Sequence, residues 1–185
     1  MTSSVSAAPT PASVSAVGAG RLALLFQEVL TAVVRLRANR QGVPDVAAFR
    51  NDMLLLLRRA EETGQAMGYD AADMQLAVFA VVALLDESAL AAADGNWTEW
   101  ARRPVQEQLF GGHMAGEWSF QHSERLLARP DTPALADLME LHQLCLLLGF
   151  RGRYGAGDRG ALHAIGAQLA ERIRRIGVLP HRTDL

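Results

Sequence analysis

From Met74 to Leu85 the chain reads MQLAVFAVVALL, with one polar side chain among twelve residues, and Asp86 and Glu87 follow at once. Phe79, Val81, Val82, Ala83, Leu84 and Leu85 place apolar groups on nearly every side of a helix, and a helix that is hydrophobic all round belongs at the centre of a fold. The run is also shorter than the ~18 uninterrupted apolar residues that mark a membrane-crossing helix. The chain is therefore expected to pack other helices around this one and, as given, to be soluble. Asp70 is positioned to cap the central helix at its start.

The flanking sequence supplies those other helices. Leu22, Leu25, Phe26, Val29, Leu30, Val33 and Leu36 recur at three- and four-residue steps and predict an amphipathic first helix. Gln41-Gly42-Val43-Pro44 ends it. A second helix is expected from about Asp45 to Met67, with Leu54 to Leu57 as a broad apolar face and Gly68 as its stop. After the central helix, Ala93-Asp94-Gly95-Asn96 predicts a turn, and Trp97 and Trp100 are expected in a polar loop. Pro104 opens a short helix that ends at Phe110, and Gly111-Gly112 separates it from one of about Ala115 to Ala128. Leu135, Leu138, Met139, Leu141, Leu144, Cys145 and Leu148 build a sixth helix, stopped by Gly149. The last runs from about Asp158 to Ile176, before Gly177 and Pro180. No segment alternates as a strand does. The expected fold is all-α, about seven helices in stacked bundles. Residues 1–19 carry no charge and few large apolar groups and are expected to be a disordered tail. Residues 20–177 form the helical domain and 178–185 a second tail.

Charge and cysteine usage narrow the function. The formal net charge is −2, and the arginines form no long run, which argues against nucleic acid. Gly64 to Ala101 holds six acids and no base, whereas from Arg151 onward seven arginines face three acids. These segments either pair with one another or solvate separate faces, or the acidic one meets a basic partner. Cys145 is the single cysteine, lies in an apolar run and points to a reducing compartment. The amino terminus lacks the basic and apolar regions of a signal peptide.

Asp86 and Glu87 continue the apolar rows of the central helix, so at least one carboxylate belongs at the edge of the core or in a cleft. A buried carboxylate requires a partner, and Arg151 and Arg153 are the expected ones, through bidentate guanidinium contacts. Two readings stand: an ion pair that fixes helices, or an acidic docking cleft. Adjacent helical residues point about 100° apart, so the two cannot flank one bond as a catalytic pair. Trp97 and Trp100 suit an exposed aromatic rim at an interface. His113, Glu117 and His122 lack metal-site spacing, and His142 and His163 are isolated, so no metal or cofactor is expected. The glycines from Gly149 to Gly157 precede no Lys-Ser or Lys-Thr and read as a connector between helices.

Three signatures follow one another in the chain. Leu85-Asp86-Glu87 is followed by Trp97 and Trp100. Leu109-Phe110-Gly111 is followed by Gly116-Glu117-Trp118-Ser119-Phe120. Glu140-Leu141 leads to Gly149-Phe150-Arg151-Gly152-Arg153-Tyr154. In that order they resemble the TssL (IcmH, DotU) family of bacterial type VI and type IVB secretion systems, over about residues 20 to 177. The resemblance implies a cytoplasmic domain of two small helical bundles, hook-like in outline, at the cytoplasmic face of the inner membrane. It implies a non-catalytic scaffold beside TssM (IcmF) and TssJ that contacts TssM and baseplate proteins such as TssK. A homodimer is a further expectation. Family members usually carry a carboxy-terminal membrane span. The sequence ends at Leu185 without one, so attachment is expected through an anchor absent from this chain. Asp86, Glu87, Trp97 and Trp100 are the expected partner-binding residues. Gly116, Glu117, Gly149, Phe150, Gly152, Arg153 and Tyr154 are the expected structural motif. The alternatives are a metal-dependent hydrolase using Glu117 and the histidines, and a helical adaptor unrelated to secretion.

Overall fold

In the computed structural model the described residues are 20–38, 42–92, 97–111, 115–152 and 159–178, with the side chains of 115–120, 159 and 178 left aside. Helix is the only regular secondary structure among them. The elements are α1 (Arg21–Leu25), α2 (Gln27–Arg37), α3 (Val46–Ala66), α4 (Ala71–Ala91), α5 (Thr98–Arg102), α6 (Val105–Phe110), α7 (Ala115–Leu127), α8 (Pro133–Leu147) and α9 (Arg159–Val178).

Two of these segments go beyond the seven expected helices. The first expected helix is interrupted at Phe26, whose φ of −98° and ψ of 6° leave the α-helical region. Its amide donates to the Ala23 carbonyl at 3.2 Å, a tightened turn, while its ring is fully buried. The apolar spacing continues through this break, so periodicity alone does not reveal it. The second is α5, in the segment expected to be a polar loop. A single helical turn there seats both tryptophans against Phe49, and five residues are too few to show a period.

α4 is the hub. It packs against α2, α3, α5, α6, α7 and α8, and fourteen of its residues are buried. By length and composition its 21 residues could cross a bilayer, but 72% of its most apolar window is enclosed by the other helices. α8 is the second internal helix and touches α1, α4, α7 and α9. The helices thus fall into two groups, α1 to α3 and α7 to α9, that share α4 and one continuous core.

Helix ends follow their local chemistry. Side-chain caps open α3 (Asp45 to the Ala48 amide, 2.9 Å), α4 (Asp70 to Ala72, 2.7 Å) and α8 (Thr132 to Leu135, 3.1 Å, ahead of Pro133). α3 and α8 both close in a left-handed glycine. Gly68 has φ 101° and Gly149 φ 103°, and the next amide returns to the carbonyl five residues back, Tyr69 to Gly64 and Phe150 to Cys145.

Long-range polar bonds then fix helix to helix. The Asp137 carboxylate, buried on α8, accepts the Gly20 amide at 2.8 Å and the Tyr69 hydroxyl at 2.5 Å. Arg129 pairs with Asp73 at 2.6 Å. Arg172 on α9 pairs with Asp131 at 2.5 Å and donates to the carbonyls of Leu127 and Arg129, so that it closes the end of α7. Among the described residues the carboxy-terminal arginines therefore pair around Asp131, not with the acidic segment between Gly64 and Ala101.

Candidate functional site

Asp86 and Glu87 lie in the last turns of α4 and point about 100° apart. That divergence sends each carboxylate to a different connection. Asp86 is 1% exposed. Its Oδ1 accepts from Trp100 Nε1 at 2.8 Å and the Val105 amide at 2.9 Å, and its Oδ2 accepts from the Gln106 amide at 2.8 Å. Val105 and Gln106 are the first residues of α6, whose amides have no intrahelical acceptor, and Pro104 at its cap supplies none. The carboxylate of one helix thus caps another from across the core. Burial pushes the Asp86 carboxyl above its ordinary pKa; the amides of Gln106 and Val105, the Trp100 indole and the Arg50 charge pull the other way.

Trp97 and Trp100 are 5% and 1% exposed, so the expected exposed rim is not what they form. Their rings lie 5.5 Å apart, and each centroid sits 5.9 Å from that of Phe49 on α3. The Arg50 guanidinium covers Trp100 at 5.3 Å and donates to Gln108 Oε1 at 3.0 Å. Apolar ring area outweighs the polar neighbours in sequence, and the tryptophans close the corner between α3, α4 and α5.

Glu87 is only partly buried. Its carboxylate accepts the Arg151 amide at 3.1 and 3.2 Å and the Gly152 amide at 2.8 Å. This is the connector expected from sequence, but main-chain amides do the binding, not the Arg151 guanidinium. Arg153 and Tyr154 lie outside the described residues. The guanidinium beside Glu87 is that of Arg37, 3.8 Å away at the end of α2. Arg37 also donates to Ser88 Oγ at 2.8 Å and to the Gly149 carbonyl at 2.7 Å. Nothing in a single sequence pairs Arg37 with a helix fifty residues later, and this contact was not foreseen. Gly149 and Gly152 both have positive φ, and a Cβ on Gly149 would stand 2.7 Å from Arg37 Nη2. Phe150, 3% exposed, anchors the loop in the core.

Gly116 and Glu117 lie on the backbone of α7; their side chains, like the whole of His113, lie outside the described residues. His142 is buried in α8, and Nδ1 bonds the Leu138 carbonyl at 2.9 Å, which makes Nδ1 the protonated nitrogen. Burial pushes its pKa down to about 4. His122 packs its ring against Phe79 at 4.8 Å. The described residues include no cluster of three or more metal-ligating side chains. Cys145 is buried, and its thiol is pushed up to about 12, which leaves it unreactive. Both signature carboxylates are thus engaged with amide donors, an arrangement that fixes loops.

The family model described as "Type VI secretion system protein DotU" matches residues 21–184. Among solved structures, the chain is similar to the cytoplasmic domain of TssL from Acinetobacter baumannii, with a TM-score of 0.76 and 28% identity over 84% of this chain and 98% of that one. It is also similar to SciP/TssL from enteroaggregative Escherichia coli 042, with a TM-score of 0.73 and 27% identity over 83% and 88%. DotU from Francisella novicida shares the fold at a TM-score of 0.67, with 15% identity over 80% and 97%. No curated protein sequence matches.

Proposed function

Because this chain belongs to the DotU family of type VI secretion proteins, a family of structural components and not of enzymes, we propose that it is a scaffold of the secretion membrane complex, held at the cytoplasmic face of the inner membrane. In this reading the helical body docks a TssM (IcmF)-like membrane protein and baseplate proteins such as TssK. The observation that carries it is the use made of the signature residues. Asp86 and Glu87 hold the amides of Val105, Gln106, Arg151 and Gly152, so the residues that mark the family shape two surface connections. A preorganised loop presents its contacts without an ordering cost at the moment of binding.

Asp86, Trp97 and Trp100 contribute to docking from beneath, by fixing the α4–α5–α6 corner. Glu87 contributes at the surface, together with the exposed Arg151. Binding of the purified chain to the cytoplasmic part of its TssM-like neighbour, measured by calorimetry, tests this. Glu87→Arg is expected to lose binding while the far-UV circular dichroism stays helical. Full affinity in a Glu87→Arg protein would remove the α8–α9 connection from the docking surface.

A further inference from the structure

A shallow groove of about 470 Å³ runs between the α1–α2 pair and the end of α8. Ala23, Leu24, Leu30, Val34, Leu144 and Leu148 give it an apolar floor and walls. Three of the six large apolar side chains exposed among the described residues gather around it. Leu24 is 64% exposed, Val34 45%, and Leu147, on the turn of α8 between Leu144 and Leu148, 76%. Such concentration on one face marks a contact surface.

The charges on that face identify its occupant. Glu28, Thr31 and Arg35 stand at i, i+3 and i+7 on α2 and share one stripe. Glu28 and Arg35 are exposed and have no ion-pair or hydrogen-bond partner among the described residues. A face with an acid at one end, a base at the other and a small residue midway is complementary to its own reverse. A two-fold axis through Thr31 sets Glu28 of each copy against Arg35 of the other, which is the pairing an isologous interface requires. The same rotation carries Leu24 of one copy towards Val34 and Leu147 of the other. A face serving an unrelated partner has no reason to carry this internal symmetry.

We propose that the α2–α8 groove is a contact between two copies of this chain, packed α2 against α2 in antiparallel sense. The contact uses neither Asp86 nor Glu87, so it leaves the docking of other proteins as a separate measurement.

Sedimentation equilibrium of the full chain, from low micromolar to near-millimolar concentration, tests the proposal. The wild type is expected to dimerise reversibly. Leu24→Glu with Val34→Glu, two exposed positions, is expected to give a monomer with an unchanged helical spectrum. Glu28→Arg and Arg35→Glu are each expected to weaken the dimer at least tenfold, about the scale of a reversed interface charge. The double variant Glu28→Arg/Arg35→Glu is expected to regain wild-type association, because only a self-complementary face restores both pairs at once. A wild type that stays monomeric throughout, a dimer indifferent to the Leu24/Val34 changes, or a double reversal that remains monomeric overturns the proposal.

Discussion

Asp86 gathers three donors that have no other acceptor: the Trp100 indole and the first two amides of α6. Removing the carboxylate strands all three in a dry corner, and each buried unsatisfied donor costs roughly 1–3 kcal/mol. Asp86→Ala is therefore expected to lose about 3–5 kcal/mol of stability, read as a lower urea midpoint together with a loss of near-ultraviolet tryptophan signal. An unchanged midpoint would mean that water replaces the carboxylate freely. His142 gives a second prediction, on acidity. Its ring is neutral in the folded chain down to about pH 4, whereas the unfolded chain takes up the proton near pH 6.5. A depressed pKa contributes stability that is complete above 6.5 and lost as pH falls towards 4, about 3 kcal/mol in all. The melting temperature of His142→Leu should therefore fall less steeply than that of the wild type across this window; parallel curves would contradict it. The position of Asp86 at the edge of the core was legible from the apolar rows it continues. Its partners were not, because two are main-chain amides that every residue carries.

Among elements, α8 and the turn after it show how a stop signal becomes a tertiary contact. Gly149 reverses the chain at positive φ, exposes its carbonyl to Arg37 and turns the next amides towards Glu87. Alanine here is strained by the backbone angle and drives its Cβ into the Arg37 guanidinium. Gly149→Ala is expected to cost about 2–3 kcal/mol. It should also speed hydrogen exchange at the Arg151 and Gly152 amides, while exchange within α3 stays slow in proportion to the remaining stability. Slow exchange at both loop amides would show that Glu87 holds them without the glycine. Long elements with caps were legible to within a residue or two, as with α3, expected from about Asp45 to Met67 and observed at Val46–Ala66. Short ones were not. α5 owes its form to Phe49 and the two tryptophans, and the break at Phe26 to a ring that fills the core; these tertiary causes leave no local period.

On the scale of the whole molecule, the two helix groups depend on the same central helix. α2 and α3 cover one part of α4 and α7 and α8 another, and residues from Val78 to Asp86 are buried throughout. Neither group can keep its core if α4 leaves, so the chain is expected to unfold as one cooperative unit and not as two bundles in succession. Two internal reporters sit in different groups. Trp97 and Trp100 lie in the α3–α5 corner, and Cys145, 2% exposed, lies within α8. In a Trp118→Phe background the tryptophan fluorescence reports the first group. The rate at which a thiol reagent reaches Cys145 reports the second, since a buried thiol reacts only on opening. In urea both signals are expected to change at the midpoint given by far-ultraviolet circular dichroism. If Cys145 becomes reactive well below the tryptophan transition, then α8 and α9 separate from α4 while the α3–α5 corner persists, and α4 links two domains instead of serving one.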